Sequence, residues 1–238
     1  MLGSIEIVFT KISMERPAGK GRRTMFEDRK DAGEQLALAL EKFKDQDVTV
    51  LGIPRGGVEV GYYVARYLHA RFSMVVSRKL PLPDDPEAGF GAMAEDGSTF
   101  LIERAASQVP EKKILEIQEA QKLEIRRRVK TLRKGRPLPP LKDRTVILVD
   151  DGIAMGATMV AAILLCRNKR AKKIVAAAPV AGEDAAAEIA EIVDELVVLE
   201  TPVLFRAVAQ FYRHWYDVPD SEVLGIMERW EKEHMADR

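Results

Sequence analysis

One cysteine, Cys166, is all that this 238-residue chain contains, which excludes an internal disulfide and fits a reducing interior. It falls among Ile163, Leu164 and Leu165 on an apolar stretch, so it reads as core packing and not as a nucleophile. Charge of one sign is also lacking: Lys plus Arg and Asp plus Glu stand at 37 each. No overall field therefore draws the chain to nucleic acid or to a membrane surface. No apolar run approaches the ~20 residues of a membrane-spanning helix, and Met1 to Thr10 lacks the basic start and long apolar centre of a signal peptide. The expected compartment is the cytoplasm. The three histidines, His69, His214 and His234, show no zinc-ligand spacing. Aromatics are scarce at 6%, and no repeat of fixed period is present.

A hydrophobic content of 47% is ample for a core, and the length suits one α/β domain with an appendage. Short β-branched and apolar runs recur: Val48 to Ile53, Met74 to Val76, Thr145 to Val149, Ile174 to Ala178 and Leu196 to Leu199. Between them lie stretches at helical spacing, including one capped by Asp28, one through Gly61 to Leu68 and Glu183 to Val193. This alternation predicts a central, mostly parallel sheet with helices on both faces. Ligands of such sheets sit at the carboxyl ends of the strands, where the strand order reverses.

The richest stretch is Thr145 to Met159, TVILVDDGIAMGATM. A buried strand ends in two carboxylates, Asp150 and Asp151. Small residues follow, and Thr158 opens an apolar helix. Such a junction aims unpaired backbone N–H groups and the positive end of a helix dipole at one spot beyond the sheet, which suits a phosphate. Bare acids beside a phosphate are costly unless something polar or cationic lies between, and a ribose diol or Mg²⁺ would serve. A second strand-loop-helix junction follows Ile53, with Arg55, Gly56 and Gly57 after Pro54. A third strand delivers Arg78 and Lys79 into the irregular segment 80–91, LPLPDDPEAGFG, whose length suggests a flexible lid. Residues 92–102 read as a hairpin turning at Asp96-Gly97.

Taken in order, the FEDRKDAG, GIPRGG, SRKL, PEAGFGA and VDDGIAMGAT segments resemble the type I phosphoribosyltransferases, and one uncharacterised branch of them in particular. The resemblance implies an α/β core over residues 25–204, a small hood or cap, an N-terminal extension over 1–24, and an aromatic cap with a C-terminal helix over 205–238. It also implies transfer of ribose 5-phosphate from phosphoribosyl diphosphate (PRPP) to a nitrogenous base or amine, with release of diphosphate. On this resemblance Asp150 and Asp151 hold the ribose hydroxyls, directly or through Mg²⁺. Gly152, Ile153, Ala154, Met155, Gly156, Ala157 and Thr158 bind the 5′-phosphate. Arg55, Gly56, Gly57 and Lys79 hold the diphosphate, and Arg78 with Lys79 forms the basic entrance of the mobile loop and neutralises departing charge.

Two departures stand out. Met155 replaces the usual Thr and removes one hydroxyl donor, about 1.5 to 3 kcal/mol if that donor bonds a charged phosphate. Ala154 replaces the acid that serves 6-oxopurine acceptors, which disfavours hypoxanthine and guanine. A PRPP-binding regulator without transferase activity and a hydrolase of phosphoribosyl compounds stand as alternatives.

Two further stretches carry more than one meaning. The helix from Pro110 to Lys134 loads its second half with Arg126, Arg127, Arg128, Lys130, Arg133 and Lys134; without interleaved aromatics it reads as a solvated basic face and not a nucleic-acid reader. The aromatic tail, Phe205, Phe211, Tyr212, Trp215 and Tyr216, either stacks on an acceptor ring or anchors the terminal helix or a homodimer. Ile5, Ile7 and Phe9 suggest an edge strand.

Overall fold

The computed structural model describes residues 26–86 and 88–235. The expected edge strand at Ile5 to Phe9, and the extension 1–24 as a whole, lie outside the described residues. Five parallel strands form the main sheet: β1 (Val48–Gly52), β2 (Arg71–Met74), β6 (Thr145–Val149), β7 (Lys173–Val180) and β8 (Glu195–Glu200), in the order β2-β1-β6-β7-β8. Strand alternation sends successive side chains to opposite faces, and the core divides accordingly. Leu51, Leu148, Ala176 and Val198 pack with α5 (Ala157–Asn168) and α6 (Glu183–Ala190) on one face. Val50, Ile147, Val175 and Val197 pack on the other face with α1 (Arg29–Ala39), α2 (Gly56–Leu68) and α7 (Asp220–Met235). Both faces are buried, as near-continuous apolar strands require.

Helix α1 starts where the sequence places a cap: the Asp28 carboxylate accepts from the Asp31 N–H at 2.8 Å, a contact worth about 0.5 to 2 kcal/mol. The Cys166 thiol is fully buried in α5, and burial pushes its pKa up to about 12. It is inert packing.

A second, three-stranded antiparallel sheet, β3-β4-β5, stands beside the first. Its strands are β3 (Ser77–Pro81), β4 (Gly89–Ala94) and β5 (Thr99–Leu101). The irregular segment expected over 80–91 is therefore shorter. Leu80 and Pro81 pair with Gly91 and Gly89, so the connection proper covers 82–88. Of the strand expected over Met74 to Val76 only Met74 belongs to one, the end of β2; Val75 and Val76 form the break before β3, which begins at Ser77. The hairpin at Asp96-Gly97 is present, with Gly97 at φ 92°.

The long helix α4 (Glu111–Leu132) follows a four-residue helix, α3 (Glu103–Ala106). Its basic end is not uniformly solvated. Arg133, just past α4, is 6% exposed, donates to the Met74 carbonyl at 3.1 Å, and pairs through both terminal nitrogens with the Glu95 carboxylate. Glu95 also accepts from the Val76 N–H. This clip ties the second sheet to the main sheet where β2 passes into β3. No helix among the described residues is long and apolar enough to cross a membrane.

Candidate active site

Strand order reverses between β1 and β6, and the loops that leave these two strands are the ones the sequence singled out. After β6 the chain passes through Asp150 and Asp151 and enters α5. Gly156 takes φ 74°, a left-handed conformation that glycine adopts without steric cost, and no side chain among the described residues caps the helix. The first N–H groups of α5 have no partner within the helix and add their dipoles at its N-terminus.

A cavity of about 240 Å³ opens at this end. Asp150 and residues 152–158 line it, together with Lys79, Gly89 and Gly91 of the second sheet and Ile102 just past β5. Lys79 and Asp150 thus come from different sheets to one space. Met155 lines the rim with its side chain 61% exposed.

Arg78 goes elsewhere. It neighbours Lys79 on β3, so alternation turns it to the opposite side, where Nε donates to Gln121 of α4 at 2.8 Å. The expectation that Arg78 and Lys79 form one basic entrance is corrected by that geometry. Arg55, after a cis Pro54–Arg55 peptide, also stays off the cavity wall, with Nη1 3.8 Å from the Asp220 carboxylate. Its neighbours remain close to the acids. A β-carbon on Gly56 would fall 1.7 Å from Asp151 Oδ2, and one on Gly57 would fall 2.8 Å from Asp150 Cα. Only glycine lets the loop after β1 lie this tightly on the acid pair.

The two acids have different surroundings. Asp150 faces the cavity, and its Oδ1 accepts from the Asp151 N–H at 2.9 Å. Burial, then the charge of Asp151, push its pKa well above the usual carboxylate range. Asp151 instead binds Arg29, whose Nε donates to Oδ2 at 2.8 Å. Arg29 is the residue that sequence reasoning missed; the only cue was its place behind the helix cap. Its guanidinium lies 4.1 Å from the Trp215 ring centroid and 5.3 Å from that of Tyr216. The Tyr212 hydroxyl donates to the Asp151 carbonyl at 2.6 Å, and burial raises its pKa strongly. Tyr212 and Trp215 thus close over Arg29 and the loop after β6. Near the same arginine sits Glu59, whose Oε2 is buried without a hydrogen-bond partner among the described residues. Burial, with Glu222 as the next cause, raises its pKa to about 7.

The donor set suits a magnesium ion only in part. Among the described residues no three His, Cys, Asp or Glu side chains gather to hold a metal. Mg²⁺, however, commonly takes one or two carboxylates plus substrate oxygens, and the buried Asp150 carboxylate, with its raised pKa, is a group that a neighbouring cation would stabilise.

The family described as phosphoribosyl transferase domain matches residues 27–211. Two Mycobacterium tuberculosis proteins, from strains CDC 1551 and H37Rv, each bearing the name "putative phosphoribosyl transferase", are 42% identical over 214 residues. Each match covers 86% of this chain and 47% of the relative, so the chain spans about half the length of those proteins. The crystal structure of TT1426 from Thermus thermophilus superposes with a TM-score of 0.73 at 36% identity, covering 86% of this chain and 98% of that one. With a family match running from the helix-capping segment through the loop after β6 to the aromatic tail, the chain belongs to the phosphoribosyl transferase family.

Proposed function

We propose that this chain transfers ribose 5-phosphate from PRPP to a nitrogen nucleophile and releases diphosphate. The observation that carries the reading is the meeting of Asp150, Lys79 and the uncapped start of α5 around one cavity. Main-chain N–H groups over Gly152 to Thr158, with the Thr158 hydroxyl, take the 5′-phosphate. Asp150 accepts from the ribose hydroxyls. Asp151, held by Arg29, stands behind it. Lys79 and the loop Arg55 to Gly57 take the diphosphate.

Breaking the bond between the ribose anomeric carbon and the diphosphate oxygen leaves positive charge on the sugar and negative charge on the leaving group. Asp150 faces the first and Lys79 the second, so fixed charges already oppose the charge that develops. The nucleophile's nitrogen forms the new bond to the anomeric carbon, and its proton passes to solvent or to the departing diphosphate. Ala154 offers no carboxylate to receive that proton, which directs the acceptor away from 6-oxopurines. Mg²⁺, where bound, would be held by Asp150 together with substrate oxygens, and would neutralise diphosphate charge.

The test is calorimetric. Changing Asp150→Asn and Asp151→Asn together should weaken Mg-dependent PRPP binding, and an unchanged affinity sinks the assignment. Incubation with labelled PRPP, Mg²⁺ and a panel of bases and amines then identifies the acceptor through diphosphate release.

A further inference from the structure

The cavity at the start of α5 is lined by Asp150 and by residues 152–158, and the lining skips Asp151. Asp151 is held instead from three directions. Its N–H donates to Asp150 Oδ1 at 2.9 Å, its carbonyl accepts from the Tyr212 hydroxyl at 2.6 Å, and its Oδ2 accepts from Arg29 Nε at 2.8 Å. The side chain is 14% exposed, and the loop after β1 lies so close over it that no β-carbon fits on Gly56. A carboxylate enclosed in this way turns toward a sugar only by giving up its cation, and an unpaired charge in a dry place is costly.

The groups that hold Asp151 come together through one pairing. A bridge between Phe26 and Tyr212 lays the approach to α1 against the tail, and the Phe26 N–H donates to the Phe211 carbonyl at 2.9 Å. Arg29, just beyond, is buried with its guanidinium 4.1 Å from the Trp215 ring centroid. The same tail also abuts the next residue of the acid loop, since Val208 leaves no room for a β-carbon on Gly152. Guanidinium, ring and hydroxyl thus fix the Asp151 main chain, and the N–H of that main chain is the one bonded to Asp150. Pairing Asp151 with Arg29 also leaves one free carboxylate, not two, beside the phosphate-binding start of α5, which lowers the repulsion that a bound phosphate would meet.

We propose that the two acids divide the work: Asp150 alone meets the sugar hydroxyls, while Asp151 and Arg29 are positioning residues that aim Asp150 and touch no substrate. Tyr212 and Trp215 pin the pair from the tail. The inference departs from the expectation that both acids hold ribose hydroxyls. It deepens the proposed transferase reading and rests on it for the identity of the sugar.

The experiment is a mutant cycle read by titration calorimetry of the full chain with PRPP and Mg²⁺, with melting temperatures to show that each variant is folded. Arg29→Gln should weaken PRPP binding, and Arg29→Lys should recover part of it, since charge returns without the planar contact to Trp215. Adding Asp151→Asn to Arg29→Gln should cost nothing further, the affinity staying within about twofold or improving, because the two residues act as one unit. The glutamine amide nitrogen takes the place of Arg29 Nε and can donate to the asparagine oxygen, so this double variant keeps the hydrogen bond without a buried charge. Asp150→Asn should weaken PRPP roughly tenfold or more in either background. Ribose 5-phosphate should follow PRPP through the series, while inorganic diphosphate, which lacks the sugar, should bind all variants alike. Three results overturn the inference: a further loss of roughly tenfold when Asp151→Asn joins Arg29→Gln, a folded Arg29→Gln variant of native affinity, or an equal loss of diphosphate, which marks collapse of the whole site. Where a single variant does not fold, the double variant decides: affinity near that of wild type supports the inference, and a loss matching that of Asp150→Asn overturns it. Unchanged PRPP affinity in Asp150→Asn removes the transferase reading together with this inference. Loss of PRPP in Asp150→Asn with any of the three results above overturns the division of the acids and leaves the transferase reading standing.

Discussion

Arg29 and Asp151 form a buried ion pair, Nε to Oδ2 at 2.8 Å, with side chains 3% and 14% exposed. The pair joins the start of α1 to the loop after β6, and the rings of Trp215 and Tyr216 close over the guanidinium. Removing one partner of such a pair leaves an uncompensated charge in a dry place. Arg29→Met should therefore cost about 3 to 5 kcal/mol of stability, measured by urea denaturation. Arg29→Lys should recover only part of it, because an ammonium does not reproduce the planar contact with Trp215. A loss under about 1 kcal/mol for the Met variant, the range of an exposed pair, would show the pair to be dispensable.

Gly56 sets the room in which that pair forms. Its substitution by Ala puts a methyl group 1.7 Å from Asp151 Oδ2 and 2.7 Å from Arg29 Nε. Something must shift, and both neighbours are held from the far side. Gly56→Ala should cost about 1 to 3 kcal/mol and weaken PRPP binding in calorimetry. A thermally unchanged variant with native affinity would contradict the close approach.

Glu59 makes a prediction in pH. Its pKa is raised from 4.5 to about 7, so the folded protein holds a proton that the unfolded chain has released. The sign follows: the contribution to stability is fully present below about pH 4.5 and is lost as pH rises through about 7. Glu59→Gln removes this dependence. Because the group is only partly buried, the expected gain of the variant over wild type above about pH 7 is about 1 to 2 kcal/mol. Denaturation midpoints measured from about pH 5 to 8 should diverge as pH rises, and parallel curves would remove Glu59 as their cause.

What the sequence made legible divides along the distance between partners. The strand runs other than Met74 to Val76, the Asp28 cap and the turn at Asp96-Gly97 are local patterns with local causes, and they stand where they were read. Lys79 and Asp150 line one cavity although Lys79 lies on β3 of the second, antiparallel sheet, a placement that the order of loops on the parallel sheet does not explain. Arg29 was not legible, since its partner lies 122 positions away and nothing near it marks it as buried. Arg133 looked like one more cation on a solvated helix; only the packing of Glu95 against Val76 gives it a buried carboxylate to meet. The division between Arg78 and Lys79 could have been inferred, because adjacent residues on a strand face opposite ways.

Glu95 and Arg133 also carry a test of how the second sheet is held. Arg133→Met leaves the Glu95 carboxylate, 11% exposed, without its cation. The loss should be about 3 to 5 kcal/mol. Exchanging both residues for apolar ones of similar volume should restore most of it, since a buried pair contributes little beyond its own desolvation. If the double variant stays as unstable as the single one, the geometry of the clip matters beyond charge balance.

Met155 offers a change that should improve the protein. Its side chain points outward at the rim of the cavity, 61% exposed, so its replacement costs little packing. Threonine at this position brings a hydroxyl to the loop that begins α5, beside backbone N–H groups without a partner inside the helix. If a phosphate sits there, the added charge-assisted hydrogen bond is worth about 1.5 to 3 kcal/mol, or roughly 10- to 150-fold in affinity. Met155→Thr should therefore tighten binding of PRPP and of ribose 5-phosphate alike, because both present the 5′-phosphate, and should leave binding of free diphosphate unchanged. Calorimetry with the three ligands distinguishes the outcomes. Equal affinities of variant and wild type for ribose 5-phosphate would place the phosphate away from residue 155, and with it away from the N-terminus of α5.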